Sequence, residues 1–165
     1  MRPNVQEYIS RVEQLYGRID LWLRKQALTA QRVFIEVDEG GPERYKAPQL
    51  LIWKKRKTLV AELRPMGVWI AGAKGRIDII GQFETKVLVY MEMMKLKASP
   101  QDTISGKEEK SSLKPLFGEI DQSGWYWIED KHQGKARLVD AALFPELLLD
   151  VSGYELSPLT PPFSP

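Results

Sequence analysis

GVWIAGAKGRIDIIGQFETKVLVYMEMMKLK, residues 67–97, is the stretch whose reading decides the fold. It reads as successive strands joined by tight turns. Residues 68–72 are short, apolar and rich in β-favouring side chains. Ala73-Lys74-Gly75 follows, with a glycine where a tight hairpin needs a positive φ. Residues 76–80 alternate, with Ile77 and Ile79 on one face and Arg76, Asp78 and Ile80 on the other. A turn over 81–84 leads into the longest strand candidate, 85–97. One of its faces carries Val87, Val89, Met91 and Met93; the other carries Leu88, Tyr90, Glu92 and Met94. Apolar side chains on both faces predict a central strand covered on both sides for part of its length. Strands joined by turns this short are antiparallel, because a parallel pair needs a long crossover.

Upstream, Asn4 with Glu7 forms a capping box that predicts a helix running to about Leu28. Val5, Tyr8, Val12, Leu15, Ile19 and Trp22 recur at spacings of three and four, and Ile9, Tyr16 and Leu23 widen the stripe. A stripe this broad suits packing across the chain's own sheet; a dimerisation or partner-binding helix is the alternative. Arg24 and Lys25 are placed in the last turn, where they complement the helix dipole. Residues 31–38 alternate again, with Val33, Ile35 and Val37 inward and Arg32, Glu36 and Asp38 outward. A polar connection over 43–48 leads to a strand pair, 49–54 and 58–63, joined through Lys55-Arg56-Lys57. Arg64-Pro65-Met66-Gly67 then turns into the central meander.

Downstream, residues 98–112 are polar and aperiodic and are expected to form a mobile loop. GWYWIE, residues 124–129, is an aromatic strand, with 135–139 as its partner. Asp140 caps a short C-terminal helix that Gly153 stops. The tail, 157–165, is proline-rich and expected to be disordered. The expected fold is therefore α+β: a long N-terminal helix packed on a mainly antiparallel, meander-like sheet of about six to eight strands, with a short C-terminal helix. Residues 1–156 form one domain in this reading.

Composition excludes several kinds of chemistry. The 165 residues contain no cysteine, which removes disulfides, thiol nucleophiles and cysteine-based zinc sites. His132 is the single histidine, so one chain cannot build a multi-histidine metal centre. It lies in a polar turn beside Asp130, with no nucleophile motif to complete a triad. The net charge of +2 is close to balance and does not by itself call for nucleic acid. No apolar run is long enough to cross a bilayer and no signal core is present, so a cytoplasmic, non-membrane setting is expected.

Three constellations could carry function. GRIDII followed by VLVYMEMMK resembles the core of the PD-(D/E)xK nuclease superfamily. The resemblance implies a magnesium or manganese ion held by Asp78 and Glu92, with Lys95 activating water. The spacing departs from the family pattern: Glu92-Met-Met-Lys95 is one residue longer than Glu-x-Lys, so in a regular strand Glu92 and Lys95 point to opposite faces. A literal Glu-x-Lys occurs instead at Glu84-Thr85-Lys86. The second constellation is Lys54-Lys55-Arg56-Lys57 beside Trp53, a basic hairpin tip able to grip phosphates and stack a base. The third is a set of broad apolar and aromatic surfaces, Tyr8, Leu15 and Trp22 on the helix and Trp125 and Trp127 on the aromatic strand.

No coherent catalytic set emerges. The expectation is a non-enzymatic protein-interaction module, an accessory or adaptor subunit of a larger complex. It would engage a protein partner or a second copy of itself. The alternatives are a nucleic-acid-binding domain using residues 54–57, and a divalent-metal nuclease centred on Asp78. No cofactor is expected, except magnesium or manganese under the nuclease reading.

Overall fold

A computed structural model describes residues 3–68, 73–93, 120, 122–130 and 132–156. The elements are α1 (Pro3–Leu23), β1 (Leu28–Val37), β2 (Tyr45–Lys54), β3 (Thr58–Gly67), β4 (Arg76–Gly81), β5 (Thr85–Met91), β6 (Gly124–Asp130), β7 (Lys135–Leu138) and α2 (Leu143–Ser152). The strands form one seven-stranded sheet in chain order, and every neighbouring pair is antiparallel. The fold is thus the expected α+β meander with a helix at each end of the chain. Most of the strand expected over 68–72, the part of 85–97 beyond Met93, the loop 98–112 and the tail 157–165 lie outside the described residues. No described helix is long and apolar enough to cross a membrane.

Helix α1 lies on the sheet because its stripe can be buried nowhere else. Val5, Tyr8, Val12, Leu15, Tyr16, Ile19 and Leu23 are all buried in the main core. Each such side chain contributes roughly 1.5–3 kcal/mol on leaving water. The sheet supplies Leu50, Ile52, Ala61, Leu63, Ile77, Ile79 and Leu88 to the same core. Helix α2 shares that face. Its Phe144 stacks on Trp22 of α1 at 5.5 Å, and its Leu143, Leu147, Leu148 and Val151 complete the core. Asp140 Oδ1 accepts from the backbone N–H of Ala142 and Leu143 at the start of α2, and Gly153 ends the helix with a φ of 75°.

The opposite face of the sheet has a smaller cluster of Val89, Met91 and Tyr126, with Ile120, Val87, Ile128 and Leu138 packed against it. Strand β5 is therefore covered on both sides, since Leu88 belongs to the main core and Val89 to the second cluster.

Several local expectations need correction. The first helix begins one residue before Asn4 and ends at Leu23, so Arg24 and Lys25 sit in the turn beyond it. Strands β2 and β3 are longer than the sequence indicated; β2 absorbs residues 45–48 and β3 runs through Pro65 to Gly67. In β1, Val37 is buried as expected, but Val33 is exposed and Arg32 turns toward the helix to meet Glu13 and Asp20. The reason is position: β1 lies at the edge of the sheet, and α1 offers it carboxylates instead of apolar cover. Asp78, expected on the face opposite Ile77 and Ile79, is buried there beside Val87.

The sheet opens between β2 and β3. Their register runs from Lys54↔Thr58 to Leu50↔Leu63 and stops, so residues 45–49 of β2 pair only with β1. Side chains close the gap. Tyr16 Oη lies 2.8 Å from the Pro48 carbonyl and 3.2 Å from that of Leu63. Glu39 accepts from Tyr45 Oη on one side of the opening and from the Val68 N–H on the other. Gln49 donates to Glu62 across it. These contacts satisfy polar groups that would otherwise be buried without partners.

Candidate nucleic-acid interface

The β2–β3 hairpin closes on a turn in which Lys57 N–H donates to the Lys54 carbonyl at 3.0 Å. The central residues, Lys55 and Arg56, both have positive φ, 52° and 57°. That is the type I′ pattern, which matches the twist of a hairpin and normally recruits Asn-Gly. A residue with a Cβ is strained in this conformation by roughly 1–2 kcal/mol. The chain nevertheless places two long cations there. Lys54, Lys55, Arg56 and Lys57 are all exposed.

The register of β1 on β2 brings a second turn alongside. Leu28 pairs with Lys54, so the α1–β1 turn carrying exposed Arg24 and Lys25 lies beside the hairpin. Among the described residues, none of Arg24, Lys25, Lys54, Lys55, Arg56 and Lys57 enters an ion pair. The other basic residues of β1, β3 and β4 are committed: Arg32 to Asp20 and Glu13, Arg64 to Glu62, and Arg76 to Asp78. Six uncommitted cations therefore gather at one end of the sheet, while Lys46, Lys74 and Lys135, also without an ion pair among the described residues, stand singly elsewhere. Lys54 Nζ stands 5.6 Å over the ring of Tyr154, and exposed Glu155 follows it in the chain.

Trp53 lies at the root of this tip. It is half-buried, and its Nε1 donates to Gln31 Oε1 at 3.1 Å, which holds the indole against β1. Thr29, Ala30, Gln31, Trp53 and Arg56 line an open recess of about 530 Å³. The site thus combines an anchored aromatic surface with unpaired cations from two turns.

The nuclease candidates are arranged differently. Arg76 Nε and Nη2 grip the two oxygens of Asp78 at 2.7 and 3.1 Å, which holds the guanidinium charge more firmly and leaves the carboxylate occupied. Asp78 pairs with Val87 and shares its face. Glu92 projects on the other side, where its Oε1 is 2.6 Å from Arg11 of α1. The sheet separates the two carboxylates instead of converging them, and Lys95 lies outside the described residues. No group of three acidic or histidine side chains that could hold a metal occurs among the described residues. The literal Glu84-Thr85-Lys86 is spent on α2. Lys86 Nζ bonds Glu84 at 2.8 Å and reaches Asp150 at 3.5 Å. Burial works to lower the Lys86 pKa, but Glu84 and Asp150 together raise it. His132 sits in the exposed β6–β7 turn with its backbone N–H on Asp130.

Of the interaction candidates, Tyr8, Leu15 and Trp125 are buried in the chain's own core. Trp125 is tied down further by an Nε1 bond to the Arg11 carbonyl and an edge contact with Tyr90. Trp22 and Trp127 are partly buried against the same core. Sequence reading missed the part played by Arg24 and Lys25, because a helix drawn to Leu28 hides them in a last turn. The signal was available: two cations immediately before a strand that must pair with the one bearing the basic tip.

No protein-family model, curated protein or solved structure matches this chain.

Proposed function

We propose that this chain binds nucleic acid through the basic end of its sheet. The observation that carries the reading is the pairing of Leu28 with Lys54, which sets Arg24 and Lys25 beside Lys54, Lys55, Arg56 and Lys57 with no described acidic partner. Uncommitted cations gain by meeting phosphates and releasing the counterions around them. Trp53 supplies a π-face on which an unpaired base can stack, with Gln31 holding the ring in place. A solvated basic turn that merely discourages aggregation would need neither the anchored tryptophan nor long cations, in place of Asn-Gly, at the two positive-φ positions. The role is binding, without catalysis, as one part of a larger assembly. A cysteine-free chain suits the reducing cytoplasm, where we place it.

The test is fluorescence anisotropy with labelled single-stranded and duplex oligonucleotides over a salt series. Binding should weaken linearly in log–log form. The doubly reversed variant Lys55→Glu/Arg56→Glu should lower the slope by about 0.7–0.9 for each phosphate it no longer neutralises. Trp53→Ala should weaken single-strand binding by about 1–3 kcal/mol and affect duplex less. Absence of binding at low salt, or affinity unchanged by charge reversal, would overturn the reading.

A further inference from the structure

The two edges of the sheet are built differently. Strand β7 is four residues long, carries Lys135 and Arg137, and joins β6 through a register shift between Ile128 and Asp130. Shortness, charge and irregularity all discourage another strand from pairing there. Strand β1 has neither the shortness nor the irregularity, and its two charges, Arg32 and Glu36, are of opposite sign. It is ten residues long, contains no proline, and keeps an unbroken register with β2 along its whole length. Near its middle, Val33 is 36% and Phe34 64% exposed.

The direction of the free backbone groups follows from Pro48, which pairs with Phe34. Proline has no N–H to give a ladder, and the Pro48 carbonyl is taken by Tyr16 beside the Leu63 carbonyl of β3. The polar groups of Pro48 therefore face away from β1. In an antiparallel ladder the two residues of such a pair turn their N–H and C=O apart. Phe34 accordingly directs its N–H and C=O out of the sheet, and so do Arg32 and Glu36 on either side.

We propose that β1 pairs antiparallel with β1 of a second copy of this chain, about a two-fold axis at Phe34. In that register Phe34 faces its own copy, Val33 faces Ile35, and Arg32 faces Glu36 of the second copy on both sides of the axis. Apolar meets apolar, and Arg32, whose Nε and Nη2 stay on Glu13 and Asp20, has Nη1 left for Glu36, which is the self-complementarity an isologous contact requires. Shifting the axis to Ile35 would set Phe34 against Glu36; shifting it to Val33 would set Arg32 against Phe34. Glu36 is free to take the new contact, because its own neighbour Arg44 stands 3.9 Å away with both side chains largely in solvent. The pairing extends one sheet through both copies. The cations of the basic end lie beyond Leu28, outside the paired residues, whereas Gln31, which holds Trp53, would face Val37 of the second copy.

The experiment exploits the absence of cysteine in the chain. Sedimentation of the full chain over a wide concentration range should show a mass rising from 18.9 kDa toward twice that value. Phe34→Cys should be captured as a covalent dimer by oxidation or a short bismaleimide. Leu59→Cys, comparably exposed on β3, should be captured far less. Phe34→Glu should raise the dimer dissociation constant at least about tenfold, because two like charges would face each other at the axis in place of the apolar contact. Circular dichroism of each variant confirms folding. A monomer at every concentration overturns the proposal. So does a dimer in which Phe34→Cys is captured no better than Leu59→Cys, since that dimer uses another surface.

Discussion

The hydroxyl of Tyr16 on α1 lies 2.8 Å from the carbonyl oxygen of Pro48 in β2, at the point where β2 has left β3. The contact turns an apolar helix into a polar clamp. The ring fills the core, and the tip satisfies a strand carbonyl that has no ladder partner. Tyr8, farther up the same helix, does the equivalent at the end of β3. It donates to the Arg76 carbonyl at 2.6 Å and accepts from the Gly67 N–H at 3.2 Å, beside the register shift between Pro65 and Gly67. Tyr16→Phe keeps the packing and removes the clamp. It should destabilise the protein by about 1–3 kcal/mol, the cost of stranding a buried polar group. For a chain of this size that lowers the melting temperature by about 2–4 °C per kcal/mol. Thermal and urea unfolding of the variant measure it, and an unchanged midpoint would show the hydroxyl to be idle.

The same two tyrosines set the alkaline limit of stability. Burial raises the pKa of both above the ordinary tyrosine value near 10, and the Glu39 and Asp78 charges near Tyr8 and the Tyr8 and Glu13 groups near Tyr16 add to the rise. The folded protein therefore holds protons that the unfolded chain has already released. Their contribution is complete below pH 10 and is lost as pH climbs toward the folded values. Unfolding free energy should fall steadily above about pH 10, and it should fall less steeply in Tyr8→Phe/Tyr16→Phe. Denaturant titrations at successive pH values, followed alongside tyrosinate absorbance, check both the sign and the attribution.

The periodicity of α1 and the alternation of β4 and β5 made the architecture legible, because both patterns are enforced by burial against one shared core. Val5, Tyr8, Val12, Leu15 and Ile19 announce a helix face; Ile77 and Ile79 announce a strand face. What escaped were features set by relations between distant segments. Residues 45–48 look like a polar connection, yet they extend β2 because β1 needs a partner for residues 34–37. Val33 looks inward by alternation, yet it is exposed because α1 meets this edge strand with Glu13 and Asp20. The basic tip was visible as a run of charges. Its companions Arg24 and Lys25 were not, because only the strand register places them there.

Gly81 is where the sheet accepts the second helix. A Cβ added at this residue would lie 2.1 Å from the backbone oxygen of Val151 and 2.4 Å from its carbonyl carbon. Neither backbone atom can step aside, since the Val151 oxygen also accepts the Phe83 N–H at 2.9 Å and sits in the last turn of α2. Gly81→Ala should therefore push α2 off the sheet and disturb the packing of Phe144, Leu147 and Leu148 together. The expected loss is about 3 kcal/mol, at the upper end of overpacking effects. Gly41 provides the control, because nothing lies within 4 Å of a Cβ there. Gly41→Ala should leave the unfolding midpoint almost unchanged.

The hairpin tip sets stability against the proposed binding. Lys55 and Arg56 hold left-handed backbone that Asn and Gly occupy at far lower cost. Lys55→Asn/Arg56→Gly should therefore stabilise the protein by about 1 kcal/mol, measured by urea unfolding. The same change removes two of the exposed cations that flank Trp53, so oligonucleotide affinity should drop and its salt dependence should flatten. Lys55→Gln/Arg56→Gln separates the two effects: it deletes the charges and keeps the strain, so it should weaken binding without a gain in stability. If the Asn-Gly variant became more stable and bound as tightly as the original chain, the strained cations would have no part in recognition. The basic end would then be an exposed turn and nothing more.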